Sequence, residues 1–389
     1  MSEVFDVVVI GCGITGAGTA YHLKKFGVDR VLLLERRTPA AGGTGKSAAI
    51  VRQHYSNPLP ARLTMESVDM FAAMPDELGA DGGYRQAGWF FLIPPDFLEG
   101  ATANVAMQQK VGVETRLLDD KEIAEMMPWL NPEGVAGVAY ERKGGYADPV
   151  QATEAYLKAF KDFGGEARIG SAARSILRSG DKVTGVMTDD GPIAAGAVVN
   201  AAGPWSGLLA NSAGIELDLK VLREQDTVWE ARGGRPLPTS SISNAVDAIY
   251  VRPLGERRYV VGRGFPKEYF EADPNNYKKT VDEDFVSDVS TRLQLRFPPF
   301  AGAKRVDSYG ALYDVTPDWY PFTGPRKGLS GYFDACGGSG HGFKIAPALS
   351  RHLARWIVDG TIDDEFGRLS YDRLSDGRSF VQAYGGNRG

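Results

Sequence analysis

The stretch from Val7 to Glu35 constrains this chain more than any other. The apolar run Val7-Val8-Val9-Ile10 enters Gly11-Cys12-Gly13-Ile14-Thr15-Gly16, and a second run, Val31-Leu32-Leu33-Leu34, ends on Glu35. A strand, a GxGxxG turn, a helix and an acid-ended strand together form a device for holding a dinucleotide. Gly11 permits the tight turn, Gly13 lets backbone approach a pyrophosphate, and Gly16 lets the new helix pack on the strand. Ile14 and Thr15 open that helix, so its positive N-terminus faces the phosphates. Glu35 lies nineteen residues after Gly16, placed to accept hydrogen bonds from an adenosine ribose, with Arg36 beside it.

Composition narrows the remaining classes. A chain of 389 residues suffices for two domains or one compound one. Its 43% hydrophobic and 24% charged content is ordinary for a globular fold. A net charge of -5 without a basic cluster excludes nucleic acid as the partner. No apolar run reaches the roughly 20 residues of a membrane span. The N-terminus carries Glu3 and Asp6 instead of a basic segment before an apolar one, which reads as structure and not as a signal peptide. Cys12 and Cys336 form no CxxC pair and the four histidines lack ligand spacing, so neither disulfides nor a metal are expected. The expected location is cytoplasmic.

Further along, periodicity predicts helices over about 14–26, 63–74, 101–111, 120–126 and 150–163, with a strand over 88–93. A loop of small residues, Ala40 to Ser47, continues into Ala48-Ala49-Ile50-Val51-Arg52 and suits close approach to a ligand. Residues 167–200 read as strand, hairpin and strand, emptying into Ala201-Ala202-Gly203-Pro204-Trp205. Residues 216–310 hold several strand-like runs and few helices, as expected of an antiparallel sheet facing a substrate. Near the far end, a strand over 331–336 runs into Gly337-Gly338-Ser339-Gly340-His341-Gly342. A helix follows with Ile345, Leu349, Leu353, Trp356 and Ile357 on one face. No second GxGxxG with an acid-ended strand accompanies the first. One dinucleotide, reduced by the substrate itself, fits this better than a flavin fed by a nicotinamide.

Taken together, the glycine turn with Glu35, Arg52, the run Asn200 to Trp205, Tyr313-Asp314-Val315-Thr316-Pro317-Asp318 and Gly338 to Lys344 resemble the FAD-dependent D-amino-acid oxidase superfamily. The likeness is nearest to its sarcosine oxidase, sarcosine dehydrogenase and glycine oxidase branch. It implies an α/β (α+β) architecture: a Rossmann-like FAD domain from residues 1–85, 146–215 and 320–389, and a substrate domain on a mixed, largely antiparallel sheet from 86–145 and 216–319. It also implies oxidation of an amino acid's C–N bond to an imine that water hydrolyses, with O2 or an electron-carrier protein as acceptor.

The resemblance assigns roles residue by residue. Arg52 and Lys344 match a clamp on the substrate carboxylate, for which charged donors are suited. Tyr313 matches an active-site tyrosine, and Ala173 a residue whose backbone meets the adenine. Ser47, Ala48, Ala202, Gly203, Trp205, Gly338, Gly340, Gly342 and Phe343 join the cofactor contacts. Two readings stand for His341: a residue against the flavin ring, or a helix-entry residue.

Three positions depart from the family's pattern. Monomeric sarcosine oxidase attaches its flavin through a cysteine two residues before the matching tyrosine, where this chain has Ala311, so a noncovalent FAD is expected. The strand Tyr259 to Arg263 carries no lysine for reaction with oxygen, and Arg263 is the substitute at hand. Ala49 stands where a basic residue approaches the flavin. Oxidase and dehydrogenase chemistry therefore both stay open. So do sarcosine and a diacid amine such as iminodiacetate, whose second anion Arg223, Arg252 or Arg263 would hold. A related aromatic hydroxylase lacks support, since no Gly-Asp pair precedes the last helix. A D-amino-acid or proline-type dehydrogenase of the same superfamily and a non-catalytic FAD-bearing subunit are the remaining alternatives.

Overall fold

The computed structural model describes residues 4–233 and 236–381. An eight-stranded sheet holds the opening motif. Its parallel centre runs, in space, Glu166–Ile169, Val31–Glu35, Val4–Ile10, Gly191–Asn200 and Leu329–Cys336. Val31–Glu35 and the end of Val4–Ile10 are apolar on both sides because both faces are covered there. Val7, Val9, Val31 and Leu33 pack against the helices Ile14–Lys25, Pro149–Asp162 and Gly342–Asp359 through Ala17, Tyr21, Tyr156, Phe160 and Leu353. Val8, Ile10, Leu32 and Leu34 face Ile176, Val183, Val186 and Leu209 on the other side.

The first strand-to-helix turn closes as tightly as its glycines suggest. Gly11 sits at φ +102°, and a Cβ there would lie 2.5 Å from the Ala201 carbonyl oxygen. A Cβ on Gly16 would lie 1.9 Å from the Gly11 carbonyl oxygen. Only bare backbone lets this helix start so close to its strand.

A second, nine-stranded sheet draws on strands between Trp89 and Glu141 and between Lys220 and Val315. It is antiparallel except where Ser241–Asn244 runs parallel to Trp89–Ile93. Its longest pairing joins Lys220–Glu230 to Lys304–Val315. The side away from the first sheet's cofactor loops packs on Val289, Leu293, Phe297 and Phe300. The helix behind two of these, Glu283–Arg296, departs from the strand-rich expectation for this region. Glu283, Asp284, Asp288, Arg292 and Arg296 dilute its apolar stripe to a few positions, and periodicity alone does not register it.

The helix expected over 63–74 extends to Pro58–Leu78. Its early prolines fall in the first turn, where a missing N–H costs nothing. Among the described residues no helix is long and apolar enough to cross a membrane. Nor do three or more His, Cys, Asp or Glu side chains gather there as a metal site.

Candidate active site

One cavity of about 490 Å3 lies between the two sheets. Every residue assigned above to the cofactor or to the carboxylate clamp lines it except Gly16 and His341. Gly16 works beneath the turn, holding helix to strand. Of the two readings of His341, its contacts favour the helix-entry residue. Its Nδ1 meets the Tyr55 hydroxyl at 3.1 Å, its Nε2 lies 2.6 Å from the Trp319 carbonyl oxygen, and its ring packs edge-on against Tyr55 and Tyr320. Burial and the nearby Lys344 charge push its pKa down to about 3, so it is a neutral wedge at the helix entrance.

Two helices begin at this cavity, and neither has a side-chain cap. Gly13 precedes Ile14–Lys25 and His341 precedes Gly342–Asp359, both without a capping hydrogen bond. Thr44 Oγ1 reaches only the Ile14 N–H, at 3.3 Å. Helix starts left bare toward a buried cavity suit anionic groups of a ligand. On the ribose side, Glu35 is fixed by its own backbone donors: Oε2 accepts from Cys12 N at 2.9 Å and Oε1 from Arg37 N at 2.8 Å. Arg36 stacks 3.9 Å over the Trp205 ring, whose Nε1 donates to Asn275 at 2.9 Å. These features fit a dinucleotide with its adenosine toward Glu35, its pyrophosphate at the Gly11–Gly13 turn and its ring end toward Gly340–Lys344.

At that ring end sit two buried cations. Arg52 follows the short strand Ile50–Val51, which pairs with Gly145–Tyr146 and aims it inward. Its guanidinium donates to the His54 carbonyl and lies 5.1 and 5.7 Å from the Tyr55 and Trp89 rings. Lys344 stands in the first turn of the last long helix, where burial and then Arg52 hold its ammonium well below the usual lysine range. One acid attends them. Glu141 is fully buried, accepts from Gln53 N at 2.7 Å through Oε2, and leaves Oε1 without a partner among the described residues. Burial raises it to about 7, against the pull of the Gln53 N–H, Arg52 and Lys344. Two cations against one carboxylate leave room for a further negative charge.

Sequence reasoning missed Glu141 and Asp314. Asp314 builds the C-terminal glycine loop: its Oδ2 accepts from Gly337 N at 2.6 Å and Gly338 N at 3.3 Å, while its carbonyl accepts from Ser339 N at 2.8 Å. Its place directly after Tyr313 was the available signal. Tyr313 lines the cavity with Lys267 5.5 Å over its ring.

The candidate second anion holders are corrected. Arg223 is engaged by Asp282 and Gln225 and Arg252 by the Ala147 carbonyl, and neither lines the cavity. Arg263 does line it but is paired with Asp288. Cys336 also reaches the cavity, yet burial raises its thiol well above the usual range, which keeps it unreactive.

A nucleotide cradle and a cationic pocket at opposite ends of one cavity, walled by two sheets, define a flavin-type oxidoreductase for anionic substrates. The chain belongs to the FAD dependent oxidoreductase (DAO) family, which it matches over residues 6–356. It is an FAD-dependent amino-acid oxidoreductase of that family.

Among its relatives is 4-methylaminobutanoate oxidase (formaldehyde-forming) of Paenarthrobacter nicotinovorans, 28% identical over 97% of this chain but only 47% of that protein, so the chain spans about half of it. Sarcosine oxidase subunit beta of Rhodobacter capsulatus is 26% identical over 93% of this chain and 87% of its own length. In structure, L-proline dehydrogenase from P. horikoshii superposes with a TM-score of 0.88 at 26% identity, covering 97% of this chain and 99% of that one.

Proposed function

We propose that this protein oxidises the C–N bond of a small amino acid whose nitrogen is a secondary amine. The observation that carries the proposal is the buried pair Arg52 and Lys344 at the ring end of the cofactor cavity. Substrates named for the three proteins above (methylaminobutanoate, sarcosine and proline) are all secondary amines bearing a carboxylate, which supports the reading.

When bound, FAD supplies a two-electron acceptor for the hydride on the carbon beside the nitrogen. The chain's own residues supply position. Arg52 and Lys344 hold the carboxylate by charge-assisted hydrogen bonds, and that fixes which C–H faces the cofactor. Tyr313, Trp89 and Phe91 wall the pocket and keep water from the reacting carbon. Glu141, like the incoming carboxylate, favours the charged form of Lys344, against the burial and the Arg52 charge that hold it down. The imine so formed is hydrolysed, and electrons pass to O2 or a carrier protein. The FAD is held noncovalently.

Anaerobic mixing of the holoprotein with a panel of amino acids, read by flavin absorbance, tests the reaction. Secondary amines are expected to bleach the flavin; if no amino acid does, the proposal fails. Repeating the best substrate in air separates an oxidase from a dehydrogenase. In Arg52→Ala the apparent substrate constant should rise on the order of 100-fold with FAD retained, the scale of one lost charge-assisted bond. Unchanged kinetics would remove Arg52 from the pocket.

A further inference from the structure

The cavity has a second pole on the nine-stranded sheet, opposite in sign to the first. Ser243 lies opposite Tyr250, Tyr250 opposite Gly262, Gly262 opposite Asp226, and Asp226 opposite Tyr309 on successive strands. Residues directly opposite in a ladder point to the same face, so this row shares the face turned to the cavity. Ser243, Tyr250 and Asp226 all line it.

Gly262 lies between Tyr250 and Asp226, and its missing side chain lets the two meet. Tyr250 donates to Asp226 Oδ1 at 2.5 Å, directly over the glycine. A Cβ on Gly262 would lie 2.3 Å from the Tyr250 hydroxyl and 2.5 Å from that Oδ1. The sheet is shaped to hold this carboxylate in place.

Asp226 is only 4% exposed, and the Tyr250 bond is the one side-chain hydrogen bond its carboxylate makes among the described residues. Cations stand nearby but are committed. Lys267 is paired with Glu224, each with a side chain 8% exposed, and Arg263 is paired with Asp288. Burial raises Asp226 to about 7, helped by Glu224 and opposed by the Tyr250 hydroxyl and Lys267. A carboxylate buried without a cation is costly, and a cation arriving from the cavity offsets that cost.

We propose that Asp226, anchored by Tyr250 across Gly262, is a subsite for a positively charged nitrogen of the substrate. The preferred substrates are then amino acids carrying a cationic group remote from the carboxylate, not diacids. This rests on the reading that Arg52 and Lys344 hold that carboxylate. Arg52 lies over Trp89, and the strand Trp89–Ile93 is four strand spacings from Asp226. That is roughly 19 Å across the sheet before side-chain reach is subtracted, so the two poles are separate subsites.

Matched unreactive acids test the proposal on the holoenzyme: hexanoate, 6-aminohexanoate and adipate, with the four-carbon set butanoate, 4-aminobutanoate and succinate. Binding is read from perturbation of the flavin absorption band. In the wild-type protein the amino acid of at least one set should bind at least tenfold tighter than its neutral and diacid counterparts. Asp226→Asn, which keeps an acceptor for Tyr250, should reduce that preference at least tenfold. A wild-type preference for the diacid, or a preference untouched by Asp226→Asn, overturns the proposal. The wild-type ranking decides the matter even if the variant does not fold. Failure of the two readings is distinguishable. If no amino acid bleaches the flavin while the ranking still follows Asp226, the reaction is wrong and the subsite stands. If amino acids bleach it and depend on Arg52 while the ranking ignores Asp226, the subsite alone is wrong.

Discussion

Burying Arg52 and Lys344 together is unfavourable for the fold, and Glu141 is what makes it tolerable. Its own position is strained in the same sense, since burial raises its pKa from the ordinary 4.5 to about 7. A folded state that binds this proton more tightly than the unfolded chain gains stability below about pH 4.5 and loses it as pH rises toward 7. The span corresponds to on the order of 3 kcal/mol. Glu141→Gln has no such proton to lose. Its melting temperature relative to wild type should therefore climb between pH 5 and pH 8, as measured by thermal unfolding of the holoprotein. A flat or falling difference would mean that Glu141 stays ionised throughout. Sequence gave no hint of this residue's role, because its partners Gln53 and Lys344 lie 88 and 203 positions away. An acid ending a strand looks like any other until the strand is placed.

Elements differ in how openly the sequence announces them. The strand, turn and helix from Val4 to Lys25 were legible because three glycines mark the turn within six residues, and Gly16 meets Gly11 itself. Gly16→Ala tests that constraint. Its Cβ would collide with the Gly11 carbonyl, so the helix must move away from the strand at a cost of about 3 kcal/mol. The protein should purify with less FAD and melt lower, as seen in its absorbance ratio and unfolding midpoint. Full FAD content at an unchanged midpoint would show that the turn has slack. The C-terminal glycine loop was legible as a ligand-facing loop, but not its anchor, since Asp314 shapes it from a different strand. His341 stayed open between two readings for a related reason. Its neighbours in sequence face the cavity, while Tyr55 and the Trp319 carbonyl turn its ring the other way. Helix Glu283–Arg296 escaped notice because polar and charged residues fill most of it and its apolar face is narrow.

At the scale of the molecule, residues of both sheets line one cavity. Ala311 stands where the family resemblance would put an attaching cysteine, and the one cysteine on the cavity wall is held as a thiol. Acid precipitation should therefore leave the FAD in the supernatant; colour retained in the protein pellet would mean a covalent bond. The wall itself joins distant parts of the chain. The Ser350 hydroxyl donates to the Thr15 carbonyl at 3.0 Å, and a Cβ on Gly18 would lie 2.9 Å from Ser350 Oγ, so the first and last long helices pack in contact. This contact sets a schedule for biosynthesis. At 5–20 residues per second, roughly 17–67 s separate the emergence of Thr15 from that of Ser350. Through that interval the glycine turn waits on the ribosome without the helix that braces it. A chain cut short before Gly342–Asp359 is therefore expected to retain less FAD than the full chain.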